Sequence, residues 1–209
     1  MSDDEPDLDA AYGLKTPEDS KRLYAAWAKS YDAGFAARME YCLPERVVQA
    51  FVARGPRGPV LDIGAGTGLV GTHLAAAGLG PVDGVDISQE MLDVARVRGV
   101  YRRLFTGDMT ARLDVADGAY GSIVSSGTFT TGHVGPEALD EVLRVAARGA
   151  QIAISVSRAH WEAAGFAAKF EALAGQIAGL ELKTVRIYGD KAEGDHANDV
   201  GYVAVFGKV

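Results

Sequence analysis

The 209-residue sequence contains one cysteine, Cys42, which excludes an internal disulfide framework and a cysteine-based zinc cage. Its four histidines, at 73, 133, 160 and 196, show no metal-ligand spacing, so no metal is expected. Basic residues are in deficit: 21 Lys and Arg stand against 28 Asp and Glu, a net charge of −7. Binding along phosphates needs the opposite balance, so no nucleic-acid partner is expected. A long apolar run is missing too. The uncharged stretch Ile63–Val82 reaches membrane-spanning length, but it holds six glycines, and a membrane span is rejected. The opening Met1-Ser-Asp-Asp-Glu5 is acidic, the reverse of a secretory leader, which predicts a cytoplasmic protein.

What is present is 48% hydrophobic, enough for one large core. The first 20 residues hold seven acids against Lys15 alone, so the rest of the chain is almost neutral. Residues 1–15 read as an acidic disordered arm, too poor in apolar side chains to fold alone. Residues 16–56 read as a helical cap. Thr16-Pro17-Glu18-Asp19 has an N-cap, a proline and acids in helix-start order, and Tyr24, Trp27 and Tyr31 then share one helical face. That stripe can be core packing or the cover of a site. A second helix is predicted from Pro44 to near Gly55.

From residue 57 onward, short apolar runs alternate with helical patterns, the signature of an α/β, doubly wound, mostly parallel sheet. Strands are predicted near Val60–Ile63, Val82–Asp86, Arg102–Phe105, Ser122–Ser125 and Gln151–Val156. Helices are predicted near Val70–Ala77, Gln89–Arg98, Pro136–Ala147 and His160–Ala178. Two last strand-like runs, Leu180–Tyr188 and Val200–Phe206, lack a helical pattern between them and should pair antiparallel.

Val60-Leu61-Asp62-Ile63-Gly64-Ala65-Gly66-Thr67-Gly68 carries the chemistry. An apolar strand runs into alternating glycines and then a helix, where a backbone can closely approach a ligand at the carboxyl end of a parallel sheet. Asp86 ends the next strand, placed to accept hydrogen bonds from ribose hydroxyls, so a nucleoside-containing cofactor is expected. The dinucleotide pattern G-x-G-x-x-G does occur, at Gly66, Gly68 and Gly71, which would suit a nicotinamide-dependent oxidoreductase. It starts two residues late, however, because Gly64 already follows the strand. Asp62 beside the loop would also oppose a pyrophosphate and suit a ligand bearing an ammonium and a sulfonium.

This segment resembles the first motif of the class I S-adenosylmethionine-dependent methyltransferases. Gly84-Val85-Asp86-Ile87-Ser88 is similar to the second motif and Gly107-Asp108-Met109 to the third. The resemblance implies a Rossmann-like seven-stranded sheet with an antiparallel last strand, S-adenosylmethionine as cofactor and S-adenosylhomocysteine as product. It implies Asp86 on the ribose, Ile87 and Met109 against the adenine, and Asp108 at the adenine amino group. The candidate cofactor set is completed by Tyr31, Asp62, Gly64, Ala65, Gly66 and Gly68, with Met91 and Ser125. Tyr24-x-x-Trp27-Ala28-x-x-Tyr31-Asp32 and the segment Gly127–Glu137 further resemble the methyltransferase-like proteins of the Williams–Beuren region.

An acceptor should sit beyond the carboxyl end of the fourth strand, in the segment from Ser125 to His133. Its hydroxyls, one aromatic and one imidazole suit a small organic acceptor taking the methyl group in line. His133 can act as the base or merely cap the next helix. Phe129, Thr130, Arg158 and Trp161 are the candidate substrate-binding residues, and Arg158 would favour an acidic acceptor. A protein that binds the cofactor without turnover remains an alternative on sequence alone. Oligomeric state cannot be read from these residues.

Overall fold

The structure, a computed structural model, describes residues 16–28 and 30–209. The expected acidic arm at 1–15 lies outside the described residues. Helix α1 (Pro17–Trp27) starts where the sequence signals it, with Thr16 Oγ1 accepting from the Asp19 N–H at 3.1 Å. A six-residue π-helix (Tyr31–Ala36) follows, then α2 (Leu43–Val52). The main layer alternates β1 (Val60–Ile63), α3 (Leu69–Ala76), β2 (Val82–Asp86), α4 (Gln89–Val97), β3 (Arg103–Thr106) and β4 (Tyr120–Phe129). It continues with α5 (Ala138–Val145), β5 (Ala146–Ser157), α6 (Arg158–Ala164), α7 (Phe166–Ala172), β6 (Ile177–Arg186) and β7 (Val200–Lys208).

The strands form one seven-stranded sheet in the order β3-β2-β1-β4-β5-β7-β6. Strands β1 to β5 pair in parallel, and β7 runs antiparallel to both β5 and β6. The doubly wound sheet and its antiparallel end are those expected from the sequence.

Both faces of the central strands are covered, so alternate residues feed two cores. Leu61, Ile63, Ile152 and Ile154 join α5, α6 and α7 on one face. Val60, Val124, Ala153 and Val203 join α1, the π-helix, α2 and α3 on the other. Helix α5 shows why these elements hold. Leu139, Val142 and Leu143 lie on one stripe and are buried, each contributing about 1.5–3 kcal/mol by leaving water.

One expected helix is corrected. The run His160–Ala178 is split at Gly165, whose φ of +81° ends α6, and residues from Ile177 onward belong to β6. Strand β4 is also longer than expected, continuing through an irregularity between Ser125 and Phe129. No helix among the described residues is long and apolar enough to cross a membrane.

Candidate functional site

The order reverses between β1 and β4, and the loop after β1 opens there, where ligands of such sheets bind. Two hydroxyls from β4 fix that opening: Ser125 Oγ and Thr128 Oγ1 both donate to the Ile63 carbonyl, at 2.8 and 3.1 Å. Thr128 stands so close that a Cβ at Gly64 would lie 1.9 Å from its Oγ1, and only glycine is tolerated there. At Gly66 the situation is reversed. A methyl group there would project into open space, its nearest neighbour the Gly64 carbonyl at 3.9 Å. The loop backbone is therefore bare where a ligand would approach it.

Asp86 clasps this loop. Its Oδ2 accepts from the Gly66 N–H at 2.8 Å and its Oδ1 from the Ser88 N–H at 2.9 Å. Burial raises its carboxyl above the ordinary range, against the pull of these N–H bonds. A carboxylate offers about four acceptor positions, more than the backbone N–H groups fill, so capacity remains for a ligand. Ser88 itself caps α4, accepting from the Met91 N–H at 3.2 Å.

Asp62 behaves differently from its sequence reading. It is fully buried beneath the loop rather than lining the cleft, because it sits inside β1. Its Oδ2 accepts from the Tyr101 hydroxyl at 2.6 Å, while Oδ1 is buried without a partner. Burial pushes its carboxyl up to about 7. Tyr101 in turn accepts from the Gly71 N–H at 3.1 Å, and a Cβ at Gly71 would lie 2.4 Å from its ring. The third glycine of the apparent dinucleotide pattern thus makes room for an internal tyrosine, not for a phosphate.

Two adjoining cavities open above the strand ends. The first, with about 940 Å³ of empty space, is bordered by Gly64, Gly66, Asp86, Ile87, Met91, Asp108 and Met109, and roofed by Tyr24 and Tyr31. The second, with about 650 Å³, is an aromatic chamber walled by Trp27, Phe35 and Tyr188. Tyr24, Tyr31, Tyr41, Gly127 and His133 border both cavities. The roof is fastened to the glycine loop: Thr67 Oγ1 donates to Asp32 Oδ1 at 2.6 Å, and Arg98 bridges Asp32 to the Thr67 carbonyl.

The structure thus brings Tyr31, Gly64, Gly66, Asp86, Ile87, Met91, Asp108, Met109 and His133 to one cleft, and Thr130 to the chamber beside it. The other expected residues lie elsewhere. Ala65 and Gly68 turn away into the packing beneath the loop, and Ser125 is buried on the Ile63 carbonyl. Phe129 pairs opposite Val156 and lies on the same face as Ile123, so its ring enters the core against Phe166. Trp161 stacks on Phe166 and Phe170 in that same core, on the far face of the sheet. Arg158 is exposed and paired with Glu162 at 3.0 Å, so it offers no charge to an acidic acceptor. Sequence reasoning missed Tyr41, Thr128 and Tyr188. Tyr41 and Tyr188 meet through an isolated antiparallel bridge between distant segments, which leaves no local pattern.

Residues 60–150 match the family described as the methyltransferase domain. The chain is 30% identical to Methyltransferase-like protein 27 of Homo sapiens over 138 residues. That match covers 64% of this chain and 56% of the human protein, so the chain spans little more than half the length of this curated relative. A solved structure from Thermotoga maritima, a SAM-dependent methyltransferase described as a possible histamine N-methyltransferase, superposes with a TM-score of 0.60 at 17% identity, covering 90% of this chain and 98% of that one. A TehB-like SAM-dependent methyltransferase from Corynebacterium glutamicum gives 0.58 at 24% identity, covering 93% and 100%. A putative methyltransferase from Haloferax volcanii, solved in complex with the Trm112 activator, gives 0.59 at 20%, covering 87% and 96%. The fold is the Rossmann-like methyltransferase fold.

Proposed function

We propose that this chain is an S-adenosylmethionine-dependent methyltransferase acting on a small organic acceptor. One observation carries the reading: a cleft with a bare glycine loop and two carboxylates shares a wall with a second, aromatic chamber. A transfer between two bound molecules needs two such adjoining places. The match of residues 60–150 and the identity to the human methyltransferase-like protein support it.

In this reading, Gly64 and Gly66 admit the cofactor to the loop backbone, and Asp86 accepts from its ribose hydroxyls. Ile87 and Met109 flank the adenine, with Asp108 at its amino group, while Met91 closes the cleft floor and Tyr31 its roof. The cofactor supplies an electrophilic methyl group on a sulfonium; the chain holds the acceptor close, aligned and dry. His133, on the shared wall, takes the acceptor's proton where one must leave. Residues 16–56 act as a cap of the same unit as residues 57–209.

Calorimetry with S-adenosylhomocysteine and NADH tests the reading directly. Binding of the former without comparable binding of the latter is expected. Tighter NADH binding would overturn it.

A further inference from the structure

The aromatic chamber has a composition that selects among acceptors. Its walls carry rings in continuous contact: Trp27 against Tyr31 at 5.1 Å, Tyr31 against Phe35 at 5.1 Å, and Phe35 against Tyr188 at 6.1 Å. No Asp, Glu, Lys or Arg lines it among the described residues. Burial raises the Tyr31 hydroxyl well above its ordinary range and that of Tyr41 to about 12, so both phenols stay neutral. The nearby carboxylate of Asp32 is committed to Thr67 and Arg98. Its polar groups come from the segment after β4, Thr130, Thr131 and His133, and from the end of β5, Ser155 and Ser157.

A carboxylate entering this chamber would lose its water without meeting a cation. An ammonium would meet ring faces, which attract cations, but no anion. Several of those rings already engage one another edge to face, at 81° for Trp27 with Tyr31 and 88° for Phe35 with Tyr188. A flat neutral ring loses little on desolvation and gains stacked and edge contacts on every wall.

Resting on the methyltransferase reading for the cleft beside it, we infer that the chamber takes an uncharged aromatic molecule with one polar edge. The apolar body would lie among Trp27, Phe35 and Tyr188. Its polar edge would face Thr130 and His133, toward the cofactor cleft.

Four probes on one skeleton test the inference by ligand-observed NMR at pH 7.5: 2-naphthol, 2-naphthoate, 2-naphthylmethylammonium and decahydro-2-naphthol. Each is titrated into the full chain with and without saturating S-adenosylhomocysteine. The expected result is that 2-naphthol binds at least tenfold more tightly than either charged probe, and more tightly than the saturated alcohol. Thr130→Trp, at the chamber's half-buried rim, should abolish 2-naphthol binding, whereas Thr130→Ser should retain it. Both variants should keep S-adenosylhomocysteine affinity within about twofold. Tighter binding of naphthoate or of the ammonium overturns the inference, as does naphthol binding that survives Thr130→Trp. So does a chain that binds S-adenosylhomocysteine but not 2-naphthol. Failure to bind S-adenosylhomocysteine would instead sink the cofactor reading, and the probes alone would still report on the chamber.

Discussion

The two cavities are built on opposite plans. The floor of the glycine cleft is assembled from three consecutive strand ends within residues 60–110, and backbone N–H groups and carboxylates dominate the hydrogen bonding there. The aromatic chamber draws on residues near 24–43, 127–133, 155–157, 187–188 and 201, and side-chain rings dominate its walls. A ligand common to a large family can be read by local backbone geometry. A variable partner is read by a surface gathered from the whole chain, where single replacements alter shape without disturbing the loop.

Substitutions can break or sharpen that division. The largest effect is expected from Gly64→Ala, which should damage the cleft and the stability of the fold together. Its Cβ would collide with Thr128, which lines the cleft and braces the Ile63 carbonyl, and φ is +68°. Overpacking and left-handed strain together cost about 2–4 kcal/mol, a fall in Tm of roughly 4–16 °C by calorimetry. His133→Ala comes next, on the shared wall. Methyl transfer should slow by roughly a hundredfold if the imidazole is the base, with S-adenosylhomocysteine affinity within about threefold of wild type. Equal losses in rate and in S-adenosylhomocysteine affinity would refute the division.

Asp86→Ala should weaken S-adenosylhomocysteine by about tenfold to a hundredfold and leave 2-naphthol binding in the chamber unchanged. It should also lower Tm without ligand, since the Gly66 and Ser88 N–H groups lose their acceptor. The smallest effect on ligand binding belongs to Asp62, which touches neither cavity and acts on stability alone. Its folded carboxyl titrates at about 7, above the ordinary value of 3.8, so the folded state keeps a proton that the unfolded chain releases. Stability therefore falls as pH rises between those two values. Asp62→Asn, which still accepts from Tyr101, should raise Tm at pH 8 relative to pH 5 by about 2–4 °C per kcal/mol relieved.

The cleft was legible in the sequence because its signals are local. Strands β1 and β2 lie at the predicted residues; the glycines follow β1 directly, Asp86 ends β2, and Asp108 comes two residues after β3. The chamber was not. Thr130 and His133 were placed near the acceptor from topology, but Phe129, Arg158 and Trp161 were drawn from the same strand-end logic and lie elsewhere. Phe129 stays on the core face it shares with Ile123, because the β4 irregularity adds two residues and leaves the alternation in phase. Asp62 was rightly seen as unusual, but its partner is Tyr101, 39 residues away and without a motif of its own.

The ring of Tyr101 has a consequence for how such sequences drift. Cβ atoms at Gly71 and Gly84 would lie 2.4 and 3.0 Å from that ring, and at Gly68 3.2 Å. These four positions are therefore sterically constrained as a set. A side chain at 71 is penalised while the aromatic remains, and shrinking the aromatic first leaves a void and strips the acceptor from the Gly71 N–H. Each route passes through a less stable ancestor, so change here requires paired replacements. Among relatives, glycine at 71 should travel with an aromatic at 101, a covariation that would mimic a nucleotide-binding signature while recording only the shape of one half-buried ring.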